Sequence, residues 1–325
     1  MSGLDLGLNA VILAVTEEEP RIITVRWSGG RLPALPYGPL DTAEHRTLER
    51  AVRGWVREQA GMELGYVEQL YTFGDRCRAR TEVRSVSVAY LALVREAPLS
   101  GRWDAQWEAC YRFFPWEDWR CEGPPAVVSE RIVPELRAWV GRAATEGERE
   151  RRQERVEIAF GLGDAGWNVN RVLERYELLY EANLVPEAEL DRRKLLGDDL
   201  DELDGAEAGV FVEGRAMALD HRRMVATALA RLRGKLTYRP LVFELMPEVF
   251  TLLQLQRVVE ALSGVKLHKQ NFRRLVDRNG LVEGTGMLDN QTGGRPAELF
   301  CFRREVLRER PAPGVGLPGG GANRS

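Results

Sequence analysis

From Leu267 to Phe302 the chain reads LHKQNFRRLVDRNGLVEGTGMLDNQTGGRPAELFCF. Phe272, Leu275 and Val276 fall at helical spacing and define one apolar stripe. The remaining positions of that helix offer Lys269, Gln270, Asn271, Arg273, Arg274 and Arg278. Two short runs follow, Leu281 to Gly286 and Glu298 to Phe302, joined by MLDNQTGGRP, whose glycine pair supplies the backbone freedom of a tight reversal. A basic helix followed by a glycine-tipped hairpin is the outline of a winged helix-turn-helix. Such a helix enters a major groove, where Arg pairs bidentately with guanine and Gln or Asn with adenine. Arg295, at the hairpin tip, is placed to reach phosphate or the minor groove. The competing reading is an ordinary helical domain in which Arg273, Arg274 and Arg278 pair with carboxylates.

The upstream sequence fits the first reading. Thr251 is a candidate cap for a helix over 252–263 that turns Leu252, Leu255, Val258, Val259 and Leu262 inward, and Ser263-Gly264 makes the turn into the basic helix. A longer helix over 216–236, with Asp220 as a candidate cap, ends before Tyr238-Arg239-Pro240. Residues 215–310 hold 18 Lys or Arg against 10 Asp or Glu, so a net charge of -3 for the whole chain hides a basic module on an acidic body. That asymmetry suits a nucleic-acid-binding domain joined to a sensing or enzymatic one.

At 325 residues and 44% hydrophobic content there is room for two cores. Residues 9–16 and 21–27, rich in β-branched side chains, read as a hairpin. Leu48, Ala51, Val52, Trp55 and Val56 mark an amphipathic helix over 42–60 closed by Gly61. Strands are expected at 65–73, 83–94 and 110–114, then helices at 130–160 and 167–185. The acidic stretch at 198–207 reads as a solvated surface, and residues 311–325, rich in Pro and Gly, as an unstructured tail. No apolar run approaches a membrane span and no basic flank precedes the N-terminal apolar segment, which predicts a cytoplasmic protein with no membrane partner. Cys77, Cys110, Cys121 and Cys301 are too dispersed for a metal pair, and His45, His221 and His268 add no ligand spacing. Neither metal, cofactor nor disulfide is expected.

The block TYRPLVFELMPEVFTLLQLQRVVEALSG, with KQNFRRLV, GLVEGTG and GGRPAELFCF after it, resembles the C-terminal domain of the Nudix-related transcriptional regulators of NAD metabolism, the NrtR type. YVEQLYTFGD at 66–75 and SVAYLAL at 87–93 are also similar to that family. The resemblance implies an α+β protein: a Nudix-like α/β/α sandwich over 1–221, with a helical insertion at about 118–215, then a winged helix-turn-helix over 222–310. It further implies a homodimer on a palindromic, double-stranded operator, repressing NAD biosynthesis or salvage genes under control of a nucleotide such as ADP-ribose or NAD. The long insertion is similar to the longer NAD regulators of alphaproteobacteria.

A Nudix hydrolase needs the pattern REUxEExGU, in which glutamates on one helical face hold Mg²⁺ against a pyrophosphate. The corresponding stretch here is GWVREQAGM at 54–62. Aligned through Gly61, the Arg becomes Gly54, the first Glu becomes Trp55, the second survives as Glu58 and the third is Gln59. The glycine-rich approach expected as LPGGF stands as LPYGPL. One carboxylate is a poor Mg²⁺ site, so hydrolysis is expected to be lost. A working nucleoside-diphosphate hydrolase regulated by its C-terminal domain is the alternative, and an interaction scaffold is a third. For a bound nucleotide, Tyr71 and Phe73 offer an aromatic surface and Asp75, Arg76 and Glu58 polar contacts. GLGDAG at 161–166 fits GxGxxG, yet lacks a convincing preceding strand and reads better as a turn between two insertion helices.

Overall fold

β1 (Leu4–Thr16) and β5 (Arg84–Leu93) lie side by side in parallel register, from Leu4↔Arg84 to Leu13↔Leu93. Strands covered on both faces read as continuous apolar runs, and Ala10, Val11, Ile12, Leu13 and Ala14 are all buried. The computed structural model describes residues 4–26, 32–41, 43–74, 84–196, 214–289 and 296–315. Among these, the N-terminal sheet runs β4-β5-β1-β2-β6, where β2 is Glu19–Arg26, β4 is Tyr66–Phe73 and β6 is Asp104–Ala109. A short β3 (Tyr37–Pro39) pairs with the start of β1.

α1 (Leu48–Ala60) covers one face, packing Ala51, Val52 and Val56 on Leu8, Ala10, Ile12, Val88 and Tyr90. It closes as expected, with Gly61 in the left-handed conformation, but it starts at Leu48 rather than 42, because the Thr47 side chain accepts the Arg50 amide and caps it. α6 (His221–Leu236) covers the other face, setting Met224, Val225, Ala228 and Leu229 among Val11, Leu13, Ala89 and Leu91. Helix, sheet and helix form the expected α/β/α sandwich. The boundary expected after residue 221 falls in the first turn of α6, a helix that packs on the sheet.

The insertion begins with a wide turn at Val127–Ile132 and continues as α2 (Val133–Gly141), α3 (Glu146–Phe160), α4 (Val172–Glu181) and α5 (Pro186–Leu195). The helix expected over 130–160 is two helices, because Thr145 caps α3 and restarts the chain. α5 was not foreseen; Pro186 sits at its start, where a missing N–H costs nothing. GLGDAG forms the turn between α3 and α4, with Gly161, Gly163 and Gly166 all at positive φ. The strand expected at 110–114 is a correction. Cys110–Arg112 is a tight turn, and the strand is the preceding Asp104–Ala109. Among the described residues that edge strand pairs only with β2, and it carries no β-branched residue, whereas Phe113 and Phe114 are apolar because they lie buried in the main core.

After a short turn at Leu241–Leu245 come β7 (Val249–Phe250), α7 (Leu252–Ser263), α8 (Lys269–Asn279), β8 (Val282–Asp289), β9 (Ala297–Phe302) and α9 (Val306–Glu309). The three strands pair in the order β7-β9-β8, which makes α7-turn-α8 a helix-turn-helix with a wing. Thr251 and Gln254 cap α7 reciprocally, and Gly264 ends it. Phe272, Val276 and Leu281 are buried in the core beside Leu255, Val259 and Leu262. Leu275, expected among them, is only half-buried. The supposed tail is also corrected at its start. Val315 is buried and donates its amide to Leu236 O at 3.0 Å, and Asn279 Nδ2 donates to Gly314 O at 2.9 Å. The acidic stretch at 198–207 lies outside the described residues.

Candidate nucleic-acid interface and sensor end

The exposed side of α8 is set by its two buried anchors. Arg274 lies two residues from both Phe272 and Val276, so at about 100° per residue it points roughly 160–200° away from the core. Gln270 and Arg278, one turn before and after it, share that outward stripe, with Asn271 on its shoulder. Lys269 and Arg273 fall on the flank nearer the core. All six side chains are exposed. None of them is hydrogen-bonded or ion-paired to a described residue, so the structure lacks the carboxylate partners that the competing reading required. Asn279 and Arg278 instead end the helix under Arg310, which donates to Arg278 O at 3.0 Å and Asn279 Oδ1 at 3.5 Å. Arg295, expected at the wing tip, lies outside the described residues. Met287 and Leu288 in β8 are exposed apolar side chains near that end of the wing.

In the Nudix-like sandwich the three positions of the hydrolase pattern are put to other uses. Trp55 lies flat over β3: its ring is so close to Gly38 that a Cβ there would meet Trp55 Cε2 at 2.2 Å, and its indole N–H donates to Pro39 O at 3.1 Å. Gln59 is buried and clamps the same strand. Its carboxamide oxygen accepts the Tyr37 amide at 3.1 Å while its Nε2 donates to Tyr37 O at 2.5 Å. Only a side chain with one donor and one acceptor satisfies both. Glu58 is exposed, 3.7 Å from the Arg102 guanidinium in a surface ion pair. Among the described residues no group of three His, Cys, Asp or Glu side chains is placed to hold a metal.

At the open end of the sheet, β1, β3 and α6 meet. His221 is buried; the Leu35 amide donates to its Nδ1 at 3.0 Å, and the Asn9 carboxamide lies 3.0 Å from Nε2. Tyr37 stands beside it, 6.4 Å between ring centres, and Trp103 meets Tyr37 edge-on at 5.6 Å. Burial pushes the Tyr37 hydroxyl above its ordinary pKa. Sequence weighed His221 only as a metal ligand and did not point to Asn9, Tyr37 or Trp103; the available signal was Asn9, a lone carboxamide in an otherwise apolar strand. Of the residues expected at the site, Tyr71 is 63% exposed and meets Phe73 edge-on at 5.6 Å, whereas Phe73 is a buried core residue. Asp75 and Arg76 lie outside the described residues.

The fold and these surfaces define a class: a Nudix-like sandwich joined to a winged helix whose second helix, α8, presents an exposed cationic face. Comparison with known proteins agrees. Residues 242–302 match the family described as the NrtR DNA-binding winged helix domain. A curated relative, the "ADPR responsive transcriptional repressor NtrR" of Acinetobacter baylyi, is 41% identical over 86 residues, covering 26% of this chain and 34% of the relative. The chain thus spans about a third of the length of that relative. Across 93% of the chain the fold is similar to the crystal structure of Shewanella oneidensis NrtR with a 27mer DNA, covering 95% of that chain at a TM-score of 0.53 and 21% identity. It is equally similar to a MutT/nudix family protein from Enterococcus faecalis, at a TM-score of 0.53 and 16% identity over 93% of this chain and 88% of that one. The chain is Nudix-related in fold and carries an NrtR-type winged helix at its C-terminus.

Proposed function

We propose that this chain is a transcriptional regulator, a repressor of NAD biosynthesis or salvage genes, whose winged helix binds a double-stranded operator under control of a nucleotide held by its Nudix-like domain. The observation that carries the reading is the exposed face of α8. Six side chains suited to bases and phosphates stand there without a partner among the described residues, on a helix inside the matched domain. Arg274, Gln270 and Arg278 read base edges; Lys269 and Arg273 hold phosphates. A palindromic operator and a homodimer follow from the geometry of such modules.

The effector is ADP-ribose or a related NAD nucleotide. The name of the Acinetobacter relative supports this class of ligand, and the aromatic cluster of Tyr37, Trp103 and His221 offers flat, part-apolar surface for a base and ribose, with the exposed Tyr71 as a separate aromatic surface on β4. Hydrolysis is absent in this reading, because Trp55 and Gln59 are committed to β3 and Glu58 alone is left.

Selection of bound duplexes from a random pool, followed by gel shifts with ADP-ribose, NAD or ATP, tests the proposal. A single enriched, two-fold symmetric site whose affinity responds to one of these nucleotides is the expected result. Binding that depends on salt but not on sequence would instead mark a non-specific acidic-partner surface. Magnesium-dependent turnover of ADP-ribose or NADH, lost in Glu58→Gln, would establish the hydrolase.

A further inference from the structure

The C-terminal end of α7 is capped from outside its own domain. The last carbonyls of a helix have no partner within it. Here Ala261 O accepts the Tyr111 hydroxyl at 2.6 Å, Leu262 O accepts Arg233 Nε at 2.9 Å, and Gly264 O accepts the Trp119 amide at 2.6 Å. All three donors belong to the sensor body or to α6. They grip the turn that leads directly into α8.

Behind that grip stands a buried carboxylate shared by two guanidiniums. Glu117 Oε2 accepts Arg233 Nη1 at 2.6 Å, and Arg175 of α4 holds the same carboxylate with Nε at 2.5 Å and Nη2 at 2.7 Å. Arg175 also donates to Ala159 O at 3.1 Å and Asn168 O at 2.9 Å, so it ties α3, the glycine turn and α4 to Glu117. Its guanidinium lies 3.8 Å from the centre of the Trp167 ring, which stacks on Trp119 at 4.1 Å. Glu117, Arg175 and Arg233 have fully buried side chains. Burial pushes the Glu117 carboxyl up, but the two guanidiniums outweigh it and hold it below the ordinary range. Buried charges persist only where they are paired and hydrogen-bonded. The geometry is therefore fixed by mutual need: Arg175 orients Glu117, Glu117 orients Arg233, and Arg233 holds the turn.

We propose that the helical insertion is a brace for the DNA-reading unit, with Arg175 as its positioning residue acting through Glu117 and Arg233 on the α7–α8 turn. The inference rests on the reading of α8 as the DNA-contacting helix. It assigns the inserted helices a role that needs no contact with DNA or nucleotide: they set the angle at which α8 is presented.

Two variants of the full chain separate this from simple destabilisation. Arg175→Gln removes one cation of the two, leaving Glu117 and Arg233 as a balanced pair; Tyr111→Phe removes one cap, and with it the oxygen that accepts Arg233 Nη2 at 3.2 Å, while all three charges stay in place. Two readouts are taken: hydrogen exchange at the amides of residues 263–268, and the ratio of affinities for the duplex selected by the unaltered protein and a scrambled duplex of equal length. Both variants are expected to exchange faster at the turn. Their affinity ratio falls by about 3- to 30-fold, while binding to the scrambled duplex, governed by phosphate charge, stays unchanged. Turn amides exchanging at the original rate in either folded variant would overturn the brace, as would an unchanged ratio. If the unaltered protein selects no duplex, the reading of α8 as a DNA reader fails, and the exchange measurement still decides the brace. Should Arg175→Gln not fold, Arg175→Lys, which keeps the cation but loses the two-pronged hold on Glu117, takes its place, with the same two outcomes.

Discussion

Gln59→Glu restores, on paper, the third glutamate of a hydrolase helix, and the structure says it should harm the protein without making an enzyme. The amide at this position donates to Tyr37 O at 2.5 Å and accepts from Tyr37 N at 3.1 Å inside a buried contact between α1 and β3. A carboxylate keeps the second bond and turns the first into an oxygen facing an oxygen. Leaving a buried acceptor unsatisfied costs about 1–3 kcal/mol, and a charged group lies at the upper end. Each 1.4 kcal/mol of that penalty raises the new carboxyl's folded pKa by about one unit. Because the folded value then exceeds the unfolded value of about 4.3, the penalty is absent below that pH and grows as pH rises between the two values. It is complete above the folded pKa. Urea melts of the variant and the unaltered protein at pH 5 and pH 8, followed by tryptophan fluorescence, should show a stability gap of about 2–3 kcal/mol at pH 8 that narrows at pH 5. Magnesium-dependent turnover of ADP-ribose should stay at background, since Trp55 still covers the first glutamate's place. A variant as stable as the original at pH 8, or one that gains turnover, would show that Gln59 is not a clamp and that the reasoning about this helix is wrong.

Other expectations concern the reading helix, the turn and the buried cluster. Arg274→Ala should remove about 1–3 kcal/mol of operator affinity and relax selectivity at one base pair. Arg273→Ala should weaken all duplexes alike and lower the salt slope by about one, with melting unchanged in both; equal effects of the two would refute the face assignment. Gly264→Ala should be far more damaging than Gly280→Ala, although both glycines have positive φ. A Cβ at 264 meets Glu117 O at 2.2 Å, whereas at 280 it meets only the movable Arg303 side chain at 3.2 Å; thermal melts of the pair check this. Glu117 is held below the ordinary carboxylate range, so its contribution is present above the unfolded value of about 4.3 and is lost as pH falls through the folded one. Glu117→Gln should therefore lower stability by about 3–5 kcal/mol at neutral pH, by leaving buried guanidiniums uncompensated, and the gap should close in acid.

Much of the architecture was legible because its signals are local. Thr251, Gly264 and Gly61 mark helix ends through hydrogen bonds to residues three or four positions away and behave as the chain reads, whereas Thr47, inside the expected helix, turns out to begin it. The reading helix was equally plain, since Phe272 and Val276 at one turn's spacing decide which side faces out. The N-terminal sandwich was harder. Asn9 and His221 are 212 residues apart in sequence and meet only when β1 and α6 pack. Phe73, an apparent stacking surface, is core because the bulge in β4 and the helix above it bury it. β6 was misplaced because an edge strand needs little apolar sequence, while the buried turn after it needs a great deal.

By itself the sequence determined the kind of protein this is: a cationic helix and a wing at one end, a hydrolase outline stripped of two carboxylates at the other. Those properties depend on residue identity and spacing along single elements. The tertiary structure decided what the replacements do and how the halves are joined. Gln59 and Trp55 became ties between α1 and β3, and Glu117, Arg175 and Arg233, drawn from three distant segments, became one buried cluster at the turn before α8. Charge pairing in a core depends on which segments meet, and no local pattern in the chain encodes that meeting.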